Sequence, residues 1–260
     1  ALALTDHGNM NGMSYQVLHA KGMKADGKEF KPIFGVEAYF VPSVEKWKEA
    51  YDQAKEDKKS ARQLEKNDGK MTSEDEAASK RKSNIIRARR HIVLVAMNQA
   101  GLNNIFKLIS ESHQGDNFYR YPRVDYDLFR KHNDGIIASS ACLGGVYAGD
   151  YWDNCLYEDY TDEETGKTRS KKVGEDEDAI MAAMRGTTEQ MQSIIGDRWY
   201  GELQWNNVPE QHRLNKYVIK MHEEYGLNLV STADSHYPNP DAWKDRELYK
   251  RLGFLNRPNK

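Results

Sequence analysis

Six short apolar runs punctuate the chain: Leu2–Leu4, Lys31–Val41, His91–Ala96, Gly135–Ser140, Trp199–Gln204 and Asn228–Ala233. Each is nearly continuous rather than alternating, which predicts strands buried on both faces. Helical patterns lie between them. Leu102, Ile105, Phe106 and Ile109 follow Gly101 at helical spacing. Thr187 and Gln190 form a capping box ahead of Met191, Ile194 and Ile195, and predict a helix opening there. Pro209 and Gly226 bracket a further helix over 210–225. The alternation predicts an α/β fold with a mainly parallel sheet. Two segments break the rhythm. Ser43–Arg90 is crowded with charge, with Trp47, Tyr51 and Ala54 as a thin apolar stripe on one predicted helix and Ser73 with Glu76 capping a second. Asp153–Asp178 is acidic around Glu158–Glu164, with a turn at Thr165-Gly166-Lys167. Both read as solvated insertions in one domain. No internal repeat is present.

Composition narrows the classes. The chain has 260 residues, 38 Lys+Arg against 40 Asp+Glu, and a formal charge of -2. A uniformly basic nucleic-acid coat is excluded, whereas a local basic patch is not. Fifteen Tyr, seven Phe and five Trp can build a core, which argues against disorder. Two Cys exclude a disulfide scaffold and fit a reducing compartment. No apolar run approaches the ~20 residues of a membrane helix, and no signal-peptide pattern opens the chain. The expected location is the cytoplasm.

Metal-capable residues gather at the run ends. Asp6 and His7 close the first, Glu37 sits within the second, and His91 opens the third. Cys142 follows the fourth, and Asp234 and His236 close the sixth. In parallel α/β folds, sites gather at the carboxyl ends of strands. His7, Cys142, Asp234 and His236 obey this rule, Glu37 is neutral to it, and His91 fits it worst. These ligand types suit zinc, or manganese with a different balance of carboxylates. Glu37 has two oxygens with which to bridge two ions, so the pattern points to metal-assisted phosphoester hydrolysis. Blander alternatives stand beside each residue. Thr5-Asp6-His7-Gly8 also reads as a turn or helix cap, and Cys142 as a small core residue. His19, His113, His132, His212 and His222 read as surface or packing residues. Basic residues cluster at Lys80-Arg81-Lys82 and at Arg87, Arg89 and Arg90, while Arg120 and Arg123 sit among Phe118, Tyr119 and Tyr121. Such interleaving can hold single-stranded nucleic acid. A solvated helix face explains the first cluster better.

Longer motifs carry a resemblance. Ala3-Leu4-Thr5-Asp6-His7-Gly8-Asn9-Met10, Pro32–Tyr39, His91–Asn98, Gly135–Gly145 and Ser231–Tyr237 resemble the PHP (polymerase and histidinol phosphatase) domain. Tyr121–Asp125 and Tyr200–Gln204 resemble the version in the bacterial DNA polymerase III alpha subunit. The resemblance implies a distorted (β/α)7 barrel over 1–240, with insertions at about 43–90 and 153–178, and with 241–260 beginning the connection to a polymerase core. It implies zinc or manganese, up to three ions. His7 would be a ligand, with Asp6 supporting it from behind. Glu37 would bridge, His91 and Cys142 would complete one site with it, and Asp234 and His236 would serve the others. Among these, Asp6, Glu37 and His91 would carry catalysis. The implied partners are DNA at a 3′ end or template–primer, the remaining polymerase domains, and through them a sliding clamp and a proofreading subunit.

The family's opening His-x-His strand and its following Asp have no counterpart in the sequence. The expectation is therefore a piece of a longer polymerase, lacking polymerase activity of its own, with fewer ions than the complete domain. The charged insertions leave a phage or divergent bacterial source open. Three functions compete: a proofreading 3′–5′ exonuclease, an inactive scaffold that docks a separate proofreading subunit, and a free-standing phosphatase for a small phosphate.

Overall fold

In the computed structural model, residues 1–68, 82, 84–164, 166 and 168–254 are described. Ser73, Glu76, Lys80, Arg81, Thr165 and Lys167, used in the sequence reading, lie outside them. The main sheet holds six described strands in the order β1-β2-β3-β6-β9-β10. These are β1 (Leu2–Leu4), β2 (Pro32–Phe40), β3 (Arg90–Ala96), β6 (Ile136–Ser139), β9 (Trp199–Gln204) and β10 (Asn228–Thr232). All six match the apolar runs. Two short pairs lie outside the sheet. One is β4 (Phe118–Tyr119) with β5 (Tyr121–Pro122), and the other is the hairpin of β7 (Cys155–Thr161) and β8 (Thr168–Glu175).

The sheet is mixed, which corrects the expectation of mainly parallel pairing. β1–β2, β6–β9 and β9–β10 are parallel, but β3 runs antiparallel to both β2 and β6. The cause lies in the connection. A parallel partner needs a crossover that returns to the far end of the sheet. β3 instead begins at the end where β2 finishes, with Arg90 paired to Phe40 and His91 to Tyr39.

Among the described helices are α1 (Met13–Ala25), α2 (Val44–Asp68), α3 (Gln99–Ser112), α4 (Tyr126–Lys131), α5 (Val146–Asp153), α6 (Glu177–Ile195), α7 (Pro209–Tyr225) and α8 (Trp243–Phe254), of which α1, α3, α5, α6 and α7 pack on the sheet. α7 has Pro209 at its start and ends on Gly226 in the left-handed conformation, as its sequence predicts. α6 corrects the expected start at Thr187. The Asp176 carboxylate accepts the Ala179 N–H and opens the helix eleven residues before Thr187. Ile180, Met184, Thr188, Met191 and Ile195 then form one unbroken buried stripe. One main core runs from Val36 and Leu94 through Tyr147 and Trp199 to Met221. Trp47, Tyr51, Val41, Val44 and Ile86 form a second, smaller cluster under α2, so the thin stripe read from sequence is buried. The β7–β8 hairpin is exposed along almost its whole length.

The sheet curls. A flat sheet of six strands would hold its edges about 24 Å apart. His7 follows one edge strand and His236 the other, yet their ring centroids are 6.3 Å apart. The fold is a half-barrel whose two rims approach each other at one end.

Candidate metal centre

Strand alternation explains how β2 delivers its carboxylate. Val36 and Ala38 enter the core, fully buried, so Glu37 and Tyr39 face the other way, into the curl. His7 bridges to Glu37 in parallel fashion, with the Glu37 N–H donating to the Asp6 carbonyl and the Gly8 N–H to the Glu37 carbonyl. His7 is thereby locked beside β2. Asp6 secures the loop from behind: its carboxylate accepts the Gly12 N–H at 2.7 Å. On β3, Arg90 and His91 point to opposite sides, and His91 takes the inner one. Cys142 sits on a turn after β6. The Gly145 N–H closes it onto the Cys142 carbonyl, and a Cβ at Gly145 would meet the Ser140 carbonyl oxygen at 1.9 Å, so only glycine fits.

These pieces meet at Glu37, which is 6% exposed. His91 Nδ1 lies 2.6 Å from one carboxylate oxygen and His7 Nδ1 3.1 Å from the other. Cys142 Sγ is 3.7 Å from the first oxygen and 3.5 Å from His91 Nδ1, and it accepts the Gly144 N–H at 3.3 Å. Burial alone raises the Glu37 carboxyl; the imidazoles of His91 and His7 more than reverse this and hold it below the usual carboxylate range. Burial pushes the Cys142 thiol up to about 12, aided by the negative charge of Glu37, Asp234 and Glu202. Burial likewise raises Asp234, which Glu37 and Glu202 push further against the opposing pull of His236.

The residues fit a divalent cation. Donor atoms of His7, Glu37 and His91 lie within 4.8 Å of one another. Ligand atoms on a tetrahedral zinc with ~2.1 Å bonds stand ~3.4 Å apart, so a small opening of these contacts admits an ion. The crowding of carboxylates also leaves surplus negative charge that a cation would relieve. Asp234 and His236 stand apart from this group of three. Asp234 has a left-handed φ of 45°, and His236 Nδ1 rests on the Asp234 carbonyl at 2.8 Å.

Glu202 is the residue that the sequence reading passed over. It is 4% exposed. Its carboxylate accepts the Ser139 and Thr232 hydroxyls, each at 2.5 Å, and the Gln204 amide at 2.9 Å. The available signal was a carboxylate inside an apolar strand, the same signal that marked Glu37.

The basic residues part company. Arg123 corrects the expectation of a nucleic-acid contact. It is completely buried, and it donates to the carbonyls of Tyr119, Tyr121 and Ile86 with its guanidinium 3.6 Å from the Trp47 ring. Burial lowers it to about 10. A cation with three internal acceptors is held in the fold and does not reach a ligand. Arg90 Nη2 donates to both carboxylate oxygens of Asp153 at 3.0 Å. Arg87 and Arg120 are exposed, and Arg89 lies over the Tyr39 and Tyr121 rings. The other histidines make packing contacts: His132 to Glu111, His113 to the Ile109 carbonyl, His222 to the Leu227 carbonyl, and His19 edge-on to Phe30.

Comparison with known proteins places this geometry. The chain is 32% identical over 241 residues to the DNA polymerase III subunit alpha of Aquifex aeolicus, covering 93% of this chain and 16% of that protein. It is 30% identical over 248 residues to the same subunit of Helicobacter pylori, at 95% and 16%, and 29% identical over 237 residues to that of Deinococcus radiodurans, at 91% and 13%. The chain thus spans about an eighth to a sixth of the length of these curated relatives. No described helix is long and apolar enough to cross a membrane. Residues 1–205 match the PHP domain, and the chain belongs to that family.

Proposed function

We propose that this chain is a metal-dependent phosphodiesterase serving as a 3′–5′ exonuclease within a DNA polymerase III alpha subunit. The observation that carries the reading is the convergence of two imidazoles and a thiol, from three separate parts of the chain, on the buried Glu37 carboxylate. Zinc or manganese ions, up to three, would activate water there and offset charge on a phosphoryl oxygen. The chain's own residues supply the orientation. Glu37 presents two oxygens in opposite directions, so it can serve two ions. Asp6 fixes the His7 loop, and the Gly144 N–H aims the Cys142 sulfur. Asp234 and His236 approach from the opposite rim and would complete the outer positions. Residues 1–240 would form the PHP unit, with 43–90 and 153–178 inserted into it and 241–260 leading onward. The whole subunit would act on template–primer DNA in the bacterial cytoplasm, with its other domains, a clamp and a proofreading subunit as partners.

A structural scaffold is the second reading. It is favoured by His236, which stands outside the group of three. Metal content by mass spectrometry separates the two, measured on wild type and Glu37→Ala after metal-supplemented purification. Near-stoichiometric zinc or manganese that is lost in the variant, together with hydrolysis of single-stranded DNA from its 3′ end, supports the exonuclease. A metal-free wild type leaves the scaffold.

A further inference from the structure

Tyr39 faces the same way as Glu37, two residues along β2, and its ring lies 5.5 Å from His91 and 6.2 Å from His7. Two residues before His91, Arg89 falls on the same side, while Arg90 turns to α5. The Arg89 guanidinium stands 3.7 Å from the Tyr121 ring and 4.8 Å from the Tyr39 ring. It has no carboxylate partner among the described residues. Its Nε is buried without a hydrogen-bond partner, and one of its other nitrogens donates to the Arg87 carbonyl. This is a fixed, uncompensated cation, one aromatic ring away from the metal-ligand group. Further out the alternation continues: Arg120 lies 6.0 Å from the Tyr119 ring, which packs on Tyr51, and Lys82 lies 5.2 Å from Tyr51.

We propose that Arg89, clamped on Tyr121 and Tyr39, is a positioning residue that seats a backbone phosphate of single-stranded DNA so that the terminal phosphodiester reaches the metal centre. The inference rests on the phosphodiesterase reading and gives that site its substrate track. A guanidinium forks its N–H donors onto phosphate oxygens and stacks on π-faces at the same time, and here the stacking is already in place. Less ordering is therefore needed when the strand arrives. The outer cations Arg120 and Lys82, held beside Tyr119 and Tyr51, extend the positive charge along which a single strand can lie.

The test is anisotropy of a 5′-labelled ten-residue oligo-dT in EDTA over a salt series, where hydrolysis does not compete. Arg89→Met is expected to weaken binding about tenfold and to reduce the slope of log K against log salt by ~0.7, the value for one phosphate contact on a single strand. Arg89→Lys keeps the charge and is expected to retain the wild-type slope with weaker binding. Wild-type affinity and slope in Arg89→Met overturn the proposal. So does a weaker affinity with an unchanged slope, because a loss of folding would produce that. Metal content and hydrolysis of bis(p-nitrophenyl) phosphate are followed in parallel. A chain that binds through Arg89 but carries no metal keeps the track and removes the hydrolytic reading.

Discussion

The corner around Glu37 and the turn after β10 offer the same kinds of ligand but hold them by different means. Glu37 and His91 lie on interior strands. β2 and β3 pair over six residue positions, and Val36, Leu94 and Ala138 pack beneath them with no measurable exposure beyond 1%. The ligands at this corner inherit their positions from the core, where packing is close and displacement is costly. Asp234 and His236 follow an edge strand whose residues are mostly exposed. Their placement depends on one left-handed residue and on Glu202. Glu202 ties Thr232, ahead of the turn, to Ser139, ahead of the Cys142 loop. A buried strand can position a ligand by packing alone, whereas an edge strand needs a side-chain tie.

The largest test of this contrast compares ion binding in two variants by chelator competition. Glu37→Gln replaces one of two carboxylate oxygens, each of which faces a different imidazole. It is expected to weaken ion affinity by more than ~100-fold, beyond the 10–100-fold typical of groups that merely support ligands. His236→Asn removes a side chain outside the group of three, on an edge-strand turn, so its cost is expected to stay near ~10-fold, at the low end of that range. Equal losses in the two variants would break the contrast and show that the two rims form one cooperative site.

The same contrast explains what could be read from the chain. All six strands were legible, because interior strands write continuous apolar runs such as Ile92–Ala96. So was α7, because Pro209 and Gly226 mark its ends. Strand direction was not, since no local pattern tells whether the chain after β2 crosses to the far end of the sheet before the next strand begins. His91 therefore looked misplaced at a strand start until β3 proved antiparallel. Arg123 read as a surface cation because its three carbonyl acceptors come from Tyr119, Tyr121 and Ile86, the last far away in sequence. Glu202 was overlooked for a similar reason: its partners lie on β6 and β10, and only the folded sheet brings them together.

Glu202→Gln sharpens the contrast at an intermediate scale. The amide keeps one acceptor but replaces the other with a donor facing a hydroxyl. Ion affinity is expected to fall ~10–100-fold, as for other groups behind metal ligands. Amide exchange should quicken around Thr232 and Ser139 and remain unchanged around Val36 and Leu94. Faster exchange in β2 would show that the corner depends on this tie too.

The smallest effect lies outside the site and has the opposite sign. Asp150 on α5 is a half-buried carboxylate without the partners that Glu37 and Glu202 possess. Its Oδ2 has no hydrogen-bond partner. Burial pushes it up to about 6, with Asp153 adding to the rise and the Thr187 hydroxyl and Arg90 opposing it. The folded protein thus holds this proton more tightly than the unfolded chain. Both states are protonated below pH ~3.8, and the charged form penalises only the fold, so stability should fall between pH ~4 and ~6 and level off above. Two units at ~1.4 kcal/mol each set an upper bound near 3 kcal/mol, and partial exposure reduces the expected gain for Asp150→Asn at pH 7 to about 1–2 kcal/mol. Urea unfolding of wild type and variant from pH 4.5 to 7.5 checks this. The two curves should converge at the acid end and separate as pH rises. Parallel curves would mean that Asp150 is solvated as well as the site carboxylates are partnered, and that burial alone does not distinguish them.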